Sequence, residues 1–384
     1  MSPHNARNHW GEPPWRIDFT SRSQPLPSAV DFAIIGGGFT GVAAAAWLRL
    51  LAPEKSVAVF EASRIGAGAS GRTGGMALAE TAAGDLPGLG DVLGGFEKIL
   101  AKLNVDCDLS LPGAWEIARS RGLPHSAIDW TDSGTLRVVK EVPGGTLDPG
   151  KLVSGLARAS ENLGAMIIEN APVAQIEWRQ TPGIKFAVGA ACSGTIAAGK
   201  ILLATNALSL ALTGLEETAH PRLTLAAATA PLTEAQLEAT GLAARRPFYT
   251  VDLPYLWGRV RRDNSIIWGA GLVTAPEAHD LNEVVISSEE PAKMFAALAK
   301  RVRGLHPALR SVEFTHRWGG PILFRDDWKP VFDWHPGRAN KKKDVMVLGA
   351  YAGHGVALSP YLGAWAAEVF LAKRELPAWG KISR

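Results

Sequence analysis

A glycine-rich turn between two apolar strands constrains this chain more than any other stretch of its sequence. Residues 31–35 are a short apolar run, and the segment GGGFTG at positions 36–41 follows it directly. An alanine- and leucine-rich stretch at 42–51 predicts a helix, and residues 56–60 predict a second buried strand that ends at Glu61. A strand, a G-x-G-x-x-G turn, a helix and a second strand in this order form a βαβ unit that binds a dinucleotide.

The glycines of the turn have separate roles in such a unit. Gly36 allows a tight turn, Gly38 lets a pyrophosphate approach the main chain, and Gly41 lets the helix pack closely on the sheet. The N–H groups at the start of the helix would face the phosphates. Glu61 is placed to accept hydrogen bonds from the ribose hydroxyls, which leaves NAD and FAD both open.

Length and charge limit the class of protein. The chain has 384 residues, which is enough for two domains or two interleaved ones. The formal net charge is only +3 and the basic residues are spread along the chain, so we expect no nucleic-acid partner. No apolar stretch is long enough to cross a membrane, and residues 1–15 lack the apolar core of a secretory signal. We therefore expect a cytoplasmic protein.

The two cysteines, Cys107 and Cys192, are too few for a disulfide framework or a thiolate metal site. This count favours a reducing compartment, and we expect no bound metal.

Other segments show how the chain is organised. Residues 1–30 are rich in proline and predict an extended arm, and residues 64–76 form a glycine-dense loop. Residues 255–261 and 265–270 predict a hairpin, and residues 345–372 predict a strand, a glycine loop and a helix. No second G-x-G-x-x-G turn follows a strand, so we expect one dinucleotide site.

Three separated segments resemble one family. The segment ASRIGAGASGRTGG at 62–75 resembles the riGxGASGRNGG segment of the D-amino-acid oxidase-like flavoproteins, with Thr73 where Asn is usual. The segment RWGGPILFRDDWKP at 317–330 is similar to the family's RWGG…fTxDxxP, with Arg325 where Thr is common. Residues 349–358 are similar to its GfsGhGvalap. The likeness is greatest to the gamma-glutamylputrescine oxidase and glycine oxidase-like branch.

The resemblance implies an α/β fold in which a Rossmann-type FAD-binding domain is interleaved with an α+β substrate domain built on an antiparallel sheet. We expect the FAD-binding domain to comprise residues 1–90, 145–215 and 315–384, and the substrate domain to comprise residues 91–144 and 216–314. The three family segments contain no cysteine, the residue that attaches flavin covalently in some members, so FAD should be bound non-covalently.

The glycine-rich segments indicate how FAD would be held. Small residues in the loop after Glu61 let its main chain follow the pyrophosphate and ribityl chain without side-chain clashes. The helix that begins near His354 would present its positive end to the flavin. By likeness to the family, Val173 places its main chain against the adenine. The residues expected to contact FAD are Gly36, Gly38, Phe39, Thr40, Gly41, Glu61, Ala62, Arg64, Gly68, Ala69, Ser70, Gly71, Arg72, Thr73, Gly74, Val173, Thr205, Asn206, Gly349, Gly353, His354, Gly355, Val356 and Ala357.

The resemblance also implies a reaction. Family members oxidise a carbon–nitrogen bond by hydride transfer to flavin N5, giving an imine that water hydrolyses, with oxygen or another electron acceptor completing the cycle. The candidate catalytic residues are His354, Tyr255, Arg259 and Trp318. His354 has two interpretations, proton transfer or contact with FAD. Two-residue alternation places Tyr255 and Arg259 on one strand face, which is either a substrate face or a half-buried face with solvated arginines.

One departure from the family concerns the substrate. Glycine and D-amino-acid oxidases hold the substrate carboxylate with an arginine where this chain has Ile322. This favours an amine or modified amine, unless Arg259 or Arg325 replaces that arginine, in which case a D-amino acid or glycine is the alternative. Two further alternatives are a catalytically inactive FAD-binding subunit and an NAD-dependent dehydrogenase.

Overall fold

The computed structural model describes residues 7–120, 122–187, 194–273, 281–337 and 342–382, so Cys192 lies outside the described residues. Within these ranges the helices are α1 (Phe39–Leu51), α2 (Val92–Leu103), α3 (Pro149–Asn162), α4 (Leu210–Thr213), α5 (Glu234–Ala239), α6 (Glu289–Leu305) and α7 (Gly355–Phe370). The strands are β1 (Ala29–Ile35), β2 (Val57–Phe60), β3 (Met76–Leu78), β4 (Ala114–Ala118), β5 (Asp129–Thr131), β6 (Thr135–Val142), β7 (Gly144–Thr146), β8 (Met166–Ile168), β9 (Val173–Glu177), β10 (Gly183–Phe186), β11 (Thr195–Leu203), β12 (His220–Thr229), β13 (Phe248–Thr250), β14 (Trp257–Val260), β15 (Ile266–Val273), β16 (Phe314–Phe324), β17 (Val331–Trp334) and β18 (Val345–Gly349).

The first sheet has the strand order β17-β18-β11-β1-β2-β8, which is parallel from β18 to β8 and antiparallel between β17 and β18. Strands β10 and β9 form an antiparallel extension from β11. Residues 32–35, 57–60 and 201–203 of its central strands are apolar because both faces are covered there, with α1, α3 and α7 on one side. Ile35 pairs with both Phe60 and Leu203, so the carboxyl ends of β1, β2 and β11 lie side by side. This register brings the glycine turn, Glu61 and Thr205 to one edge.

The second sheet has the order β16-β12-β15-β14-β13-β4-β6-β5 and is antiparallel except where β13 meets β4. Leu223 and Leu225 of β12 point to a buried face that packs with Phe295 and Leu298 of α6. The alternate residues of β12 point the other way, towards the first sheet. The two sheets confirm the predicted α/β class with an antiparallel second sheet, and the predicted hairpin is formed by β14 and β15.

The first part of the N-terminal arm is packed against the body of the protein, and residues 12–28 form neither helix nor strand. Trp10 is fully buried and Trp15 is 9% exposed. The indole N–H of Trp15 donates to the Gly71 carbonyl at 2.8 Å. Burial of two indoles outweighs the cost of ordering this segment, since each large aromatic side chain removes a large apolar area from water.

Candidate active site

A cavity of about 2130 Å³ is lined by the edge of the first sheet and by one face of the second. Pockets for a single drug-sized ligand occupy roughly 300–1,000 Å³. The cavity is therefore large enough for an extended dinucleotide together with a second small molecule.

The glycine turn forms one end of this cavity. Gly36 has φ +109°, and a Cβ on Gly41 would lie 2.0 Å from the Gly36 carbonyl oxygen, so neither position accepts a side chain. A Cβ on Gly38 would lie 2.8 Å from Ser70 Oγ. That hydroxyl in turn accepts the N–H of Phe39 at the start of α1, at 2.8 Å. The turn is thus a main-chain cradle that a side chain would fill.

Glu61 lies beside the cradle. Its carboxylate is buried and accepts the main-chain N–H groups of Gly37 and Ser63, each at 2.9 Å. Because Glu61 also lines the cavity, this carboxylate is held in a fixed position where the sequence places a ribose.

Thr205 and Asn206 follow β11 at the same edge. The hydroxyl of Thr205 is buried, lines the cavity and has no hydrogen-bond partner within the described residues. Leaving such a group unpaired costs about 1–3 kcal/mol, so a bound molecule with polar atoms would satisfy it. Asn206 Oδ1 accepts the N–H of Ala350 at 2.9 Å and joins this edge to the C-terminal glycine loop. The unpaired hydroxyl and the glycine cradle fit a dinucleotide.

The predicted FAD contacts divide into two groups by their place in the structure. Five of them do not line the cavity: Gly41 lies behind it beneath Gly36, Arg64 is exposed, and Gly71, Gly349 and Ala357 are buried. The predicted contacts that line the cavity are Gly36, Gly38, Phe39, Thr40, Glu61, Ala62, Gly68, Ala69, Ser70, Arg72, Thr73, Gly74, Val173, Thr205, Asn206, Gly353, His354, Gly355 and Val356.

Trp318 is one wall of the cavity. Its side chain is fully buried, and its indole N–H donates to the Arg72 carbonyl at 2.9 Å. The ring of Trp15 meets it edge to face at 5.5 Å. Trp318 therefore has a fixed orientation next to the glycine-dense loop.

Tyr255 and Arg259 do not lie on one strand face, although strand alternation predicts that they do. Strand β14 begins at Trp257, and Tyr255 lies before it, 55% exposed at the cavity mouth. Arg259 is buried behind the cavity lining, where its Nε donates to the Gly74 carbonyl. Burial lowers the pKa of Arg259 to about 10. The interpretation of Arg259 as a solvated arginine is therefore wrong, because its guanidinium is held against the main chain of the loop.

His354 directly precedes α7 and lines the cavity. Burial lowers the pKa of its imidazole, which outweighs the opposite effects of the Ala352 carbonyl and of Glu80. The ring is therefore neutral at pH 7, and its Nδ1 lies 3.2 Å from the Ala352 carbonyl oxygen. Since a carbonyl only accepts, Nδ1 bears the proton and Nε2 is left as an acceptor.

Sequence reasoning did not identify Arg222 and Arg301, two arginines that line the cavity from the second sheet and from α6. Arg325, the expected substitute ligand for a carboxylate, does not line the cavity and donates to the Lys381 carbonyl at 2.8 Å. Arg222 lines the cavity because its strand pairs with the RWGG segment. This pairing cannot be read from a single sequence, so the sequence carries no signal for Arg222.

Neither a metal site nor a membrane span is found in the part of the chain that the structure describes. Among these residues, no group of three or more His, Cys, Asp or Glu side chains is arranged to hold a metal ion. Across the same ranges, every helix is too short or too polar to cross a membrane.

Comparison with known proteins identifies the family. Residues 31–369 match the family model described as DAO, FAD dependent oxidoreductase. The gamma-glutamylputrescine oxidoreductase of Escherichia coli (strain K12) is 25% identical over 385 residues, which cover 88% of this chain and 83% of the relative. A probable oxidoreductase OrdL of Rhizobium meliloti (strain 1021) is 26% identical over 391 residues, covering 91% and 85%.

Solved structures share the fold. The crystal structure of glycine oxidase from Geobacillus kaustophilus has a TM-score of 0.68 at 19% identity, covering 91% of this chain and 96% of that one. L-proline dehydrogenase from P. horikoshii has a TM-score of 0.70 at 19% identity, covering 92% and 96%. The family match spans most of the chain and confirms FAD over NAD. The chain belongs to the DAO family of FAD-dependent oxidoreductases.

Proposed function

We propose that this oxidoreductase oxidises the carbon–nitrogen bond of a small amine or modified amine. The observation that supports this substrate class most directly is Ile322, which lines the cavity at the position where amino-acid oxidases of the family are expected to have an arginine. Glycine or a D-amino acid is the alternative substrate class. Similar proteins include a gamma-glutamylputrescine oxidoreductase and a glycine oxidase.

The chain's own residues would perform three tasks. FAD, when bound, supplies the acceptor for the hydrogen on the carbon next to nitrogen. Glu61 and the glycine cradle would hold the dinucleotide, and the buried ring of Trp318 would keep water from one side of the reacting centre. The neutral His354 offers Nε2 as a hydrogen-bond acceptor inside the cavity.

We further propose that FAD is bound non-covalently, that the protein is cytoplasmic and that its partners are small molecules. Non-covalent FAD is supported by the position of Cys107, which is buried and does not line the cavity. A cytoplasmic location is supported by its free thiol. The small net charge of +3 supports the proposal that the protein has no nucleic-acid partner. Oxygen or another acceptor would reoxidise the flavin.

The proposed domain boundaries are supported by the origin of the strands. The strands of the first sheet fall within 1–90, 145–215 and 315–384, and those of the second within 91–144 and 216–314. Strand β16, Phe314–Phe324, is the exception because it belongs to the second sheet.

Anaerobic reduction of the purified holoenzyme tests the proposal. Primary amines, N-substituted amines, glycine and D-amino acids are added one at a time without oxygen, and bleaching of the flavin absorbance band is followed. We expect bleaching by at least one amine, and recovery of the band with air if oxygen is the acceptor. Bleaching by glycine or D-amino acids alone would favour the alternative substrate class. A yellow protein that no substrate bleaches would support the inactive FAD-binding subunit.

A further inference from the structure

One wall of the cavity is a face shared by β12 and β16. In this antiparallel pair Arg222 lies opposite Ile322, and Thr224 lies opposite Gly320. Directly opposed residues have Cβ atoms about 4.5–5.5 Å apart and project from the same face. All four residues line the cavity. The side chain next to Ile322 on this wall is therefore an arginine contributed by the neighbouring strand.

The other two arginines of the lining each form several hydrogen bonds within the protein. Arg301 forms two hydrogen bonds with Asp132 Oδ2, at 2.6 and 3.1 Å, and also donates to two main-chain carbonyls. Arg72 donates to the carbonyls of Gly11 and Gly319 at 2.7 and 3.2 Å. Neither guanidinium can turn to a ligand without losing these bonds.

Arg222 differs from both. Its Nη1 donates to the Pro221 carbonyl at 2.8 Å, and no carboxylate of the described ranges forms an ion pair with it. A guanidinium has five N–H donors, and the Pro221 carbonyl takes one of them, so donors remain for a ligand in the cavity that Arg222 lines. Glu216, an exposed carboxylate on the same lining, is not among its partners.

Neighbouring side chains hold Arg222 without neutralising its charge. Its guanidinium carbon lies 5.9 Å from the ring centre of Phe324, and the ring of Trp328 stacks on Phe324 at 5.1 Å with an interplanar angle of 8°. The carboxylate of Asp326 is bound instead by His220, at 2.9 Å. An aromatic support of this kind orients a cation and leaves its in-plane donors available.

We propose that Arg222 binds a carboxylate of the substrate from β12 instead of β16, so that the substrate bears a carboxylate in either of the two proposed substrate classes. The inference rests on the proposed amine oxidation. Arginine donors in a planar fork match the two oxygens of a carboxylate. Thr224, two residues along the same strand face and about 7 Å away, continues this wall towards Gly320 and the glycine-dense loop.

Equilibrium binding to the holoenzyme tests the site independently of turnover. Benzoate and benzamide, and glutarate and glutaramide, are titrated by calorimetry as pairs that differ in charge. We expect the native protein to bind at least one carboxylate at least ten-fold more tightly than its amide, and Arg222→Gln to abolish that preference. Arg222→Lys retains the charge but not the fork, so an intermediate preference is expected.

Arg262→Gln is the matched control, because Arg262 is an exposed arginine that pairs with Asp108 away from the cavity. It should retain the full preference for the carboxylate. A native protein without this preference, or an Arg222→Gln protein that keeps it, would overturn the inference. If Arg222→Gln does not retain FAD, the preference of Arg222→Lys for the carboxylate over its amide is compared with that of the native protein. A weaker preference supports the inference, and an unchanged preference overturns it.

Anaerobic flavin bleaching by the same variants separates this inference from the proposed function. Bleaching by amines with and without a carboxylate at equal second-order rate constants of flavin reduction would contradict the role of Arg222 and leave amine oxidation standing. Carboxylate binding that depends on Arg222, in a protein that no amine bleaches, would support the site and contradict amine oxidation. For carboxylate-bearing amines, Arg222→Gln should raise the apparent Kd of the substrate and leave the limiting rate of flavin reduction unchanged.

Discussion

The two sheets meet the cavity in different ways. The first sheet presents the ends of its parallel strands, and the groups found there are the glycine turn, the carboxylate of Glu61 and the hydroxyl of Thr205. The second sheet presents one face, whose side chains alternate along each strand, with Arg222 and Ile322 as an opposed pair. One surface consists largely of main chain and the other of side chains.

This difference has a chemical consequence. A main-chain cradle excludes side chains, so positions such as Gly41, where a Cβ would lie 2.0 Å from a carbonyl oxygen, accept little change. A sheet face tolerates exchange of one side chain for another, because the backbone ladder does not depend on them. The first surface suits a constant cofactor, and the second suits a substrate that differs between proteins of one fold.

Gly38→Val would test the cofactor side most severely, and we expect the largest effect here. Gly38 has φ −84° and ψ −177°, a backbone conformation that valine adopts readily, so the variant should fold. Its side chain would occupy the cradle, where a Cβ lies 2.8 Å from Ser70 Oγ. We expect at least about a 100-fold loss of FAD affinity, about 2.7 kcal/mol, measured by equilibrium dialysis of the apoprotein with FAD.

Gly304→Ala is the control for that variant. Gly304 lies in α6, and no atom is found within 4 Å of the place that a Cβ would take. Alanine should therefore leave FAD binding unchanged and raise the free energy of unfolding by up to about 1 kcal/mol. A Gly38→Val protein that is purified yellow with a full complement of FAD would refute the cradle.

Glu61→Ala should have the second largest effect, also on the cofactor side. The change removes a buried carboxylate that accepts two main-chain N–H groups and faces the cavity. Hydrogen bonds to a charged group are worth about 1.5–3 kcal/mol each, so FAD affinity should fall by roughly 10- to 100-fold. Glu61→Gln should lose less, and the exposed Glu238→Gln in α5 should lose nothing. Equal affinities for all three variants would contradict a ribose contact.

The contact between the glycine-dense loop and the second sheet is tested by two variants, Gly74→Ala and Gly269→Ala. The ring of Trp257 lies between these glycines, since a Cβ would fall 2.3 Å from it at Gly74 and 2.0 Å at Gly269. Overpacking of this kind costs about 1–3 kcal/mol, which urea unfolding of the holoenzyme would measure. Adding Trp257→Ala to either variant should remove most of the further loss. If each double variant loses as much stability as its two single variants together, the contact between the new Cβ and the Trp257 ring is not the cause.

The smallest effect concerns pH. Because the pKa of His354 is lowered in the folded protein, the unfolded chain binds the proton more readily. The native protein therefore loses stability as pH falls below about 6.5, the ordinary histidine pKa, towards the folded value. His354→Gln lacks this group. As pH falls from 7.5 to 5.5, the free energy of unfolding of His354→Gln should therefore rise relative to that of the native protein. Urea unfolding at both pH values measures this change, and a constant difference in stability would contradict a neutral imidazole with a lowered pKa.

The elements on the cofactor side were largely predictable because they are local in sequence. Strand β1, the turn and α1 follow one another within 23 residues, Ala29–Leu51, and hydrogen bonds and sterics between near neighbours determine their geometry. Helix α3 is predictable in the same way, since Asp148 caps it through the N–H of Lys151 at 2.9 Å. The burial of Arg259 was not predictable, because it depends on contact with a loop 185 residues earlier in the chain.

The sequence by itself determined the βαβ unit with its glycine turn at Gly36 to Gly41 and, through the family segments, the dependence on FAD. These features depend on contiguous residues whose spacing already specifies the main-chain path. Only the tertiary structure decided which arginine faces the substrate side. Arg222 and Ile322 are 100 positions apart and become neighbours through the register of β12 and β16. That register is selected by burial of Leu223 and Leu225 on the opposite face, since a slip of one residue would expose them.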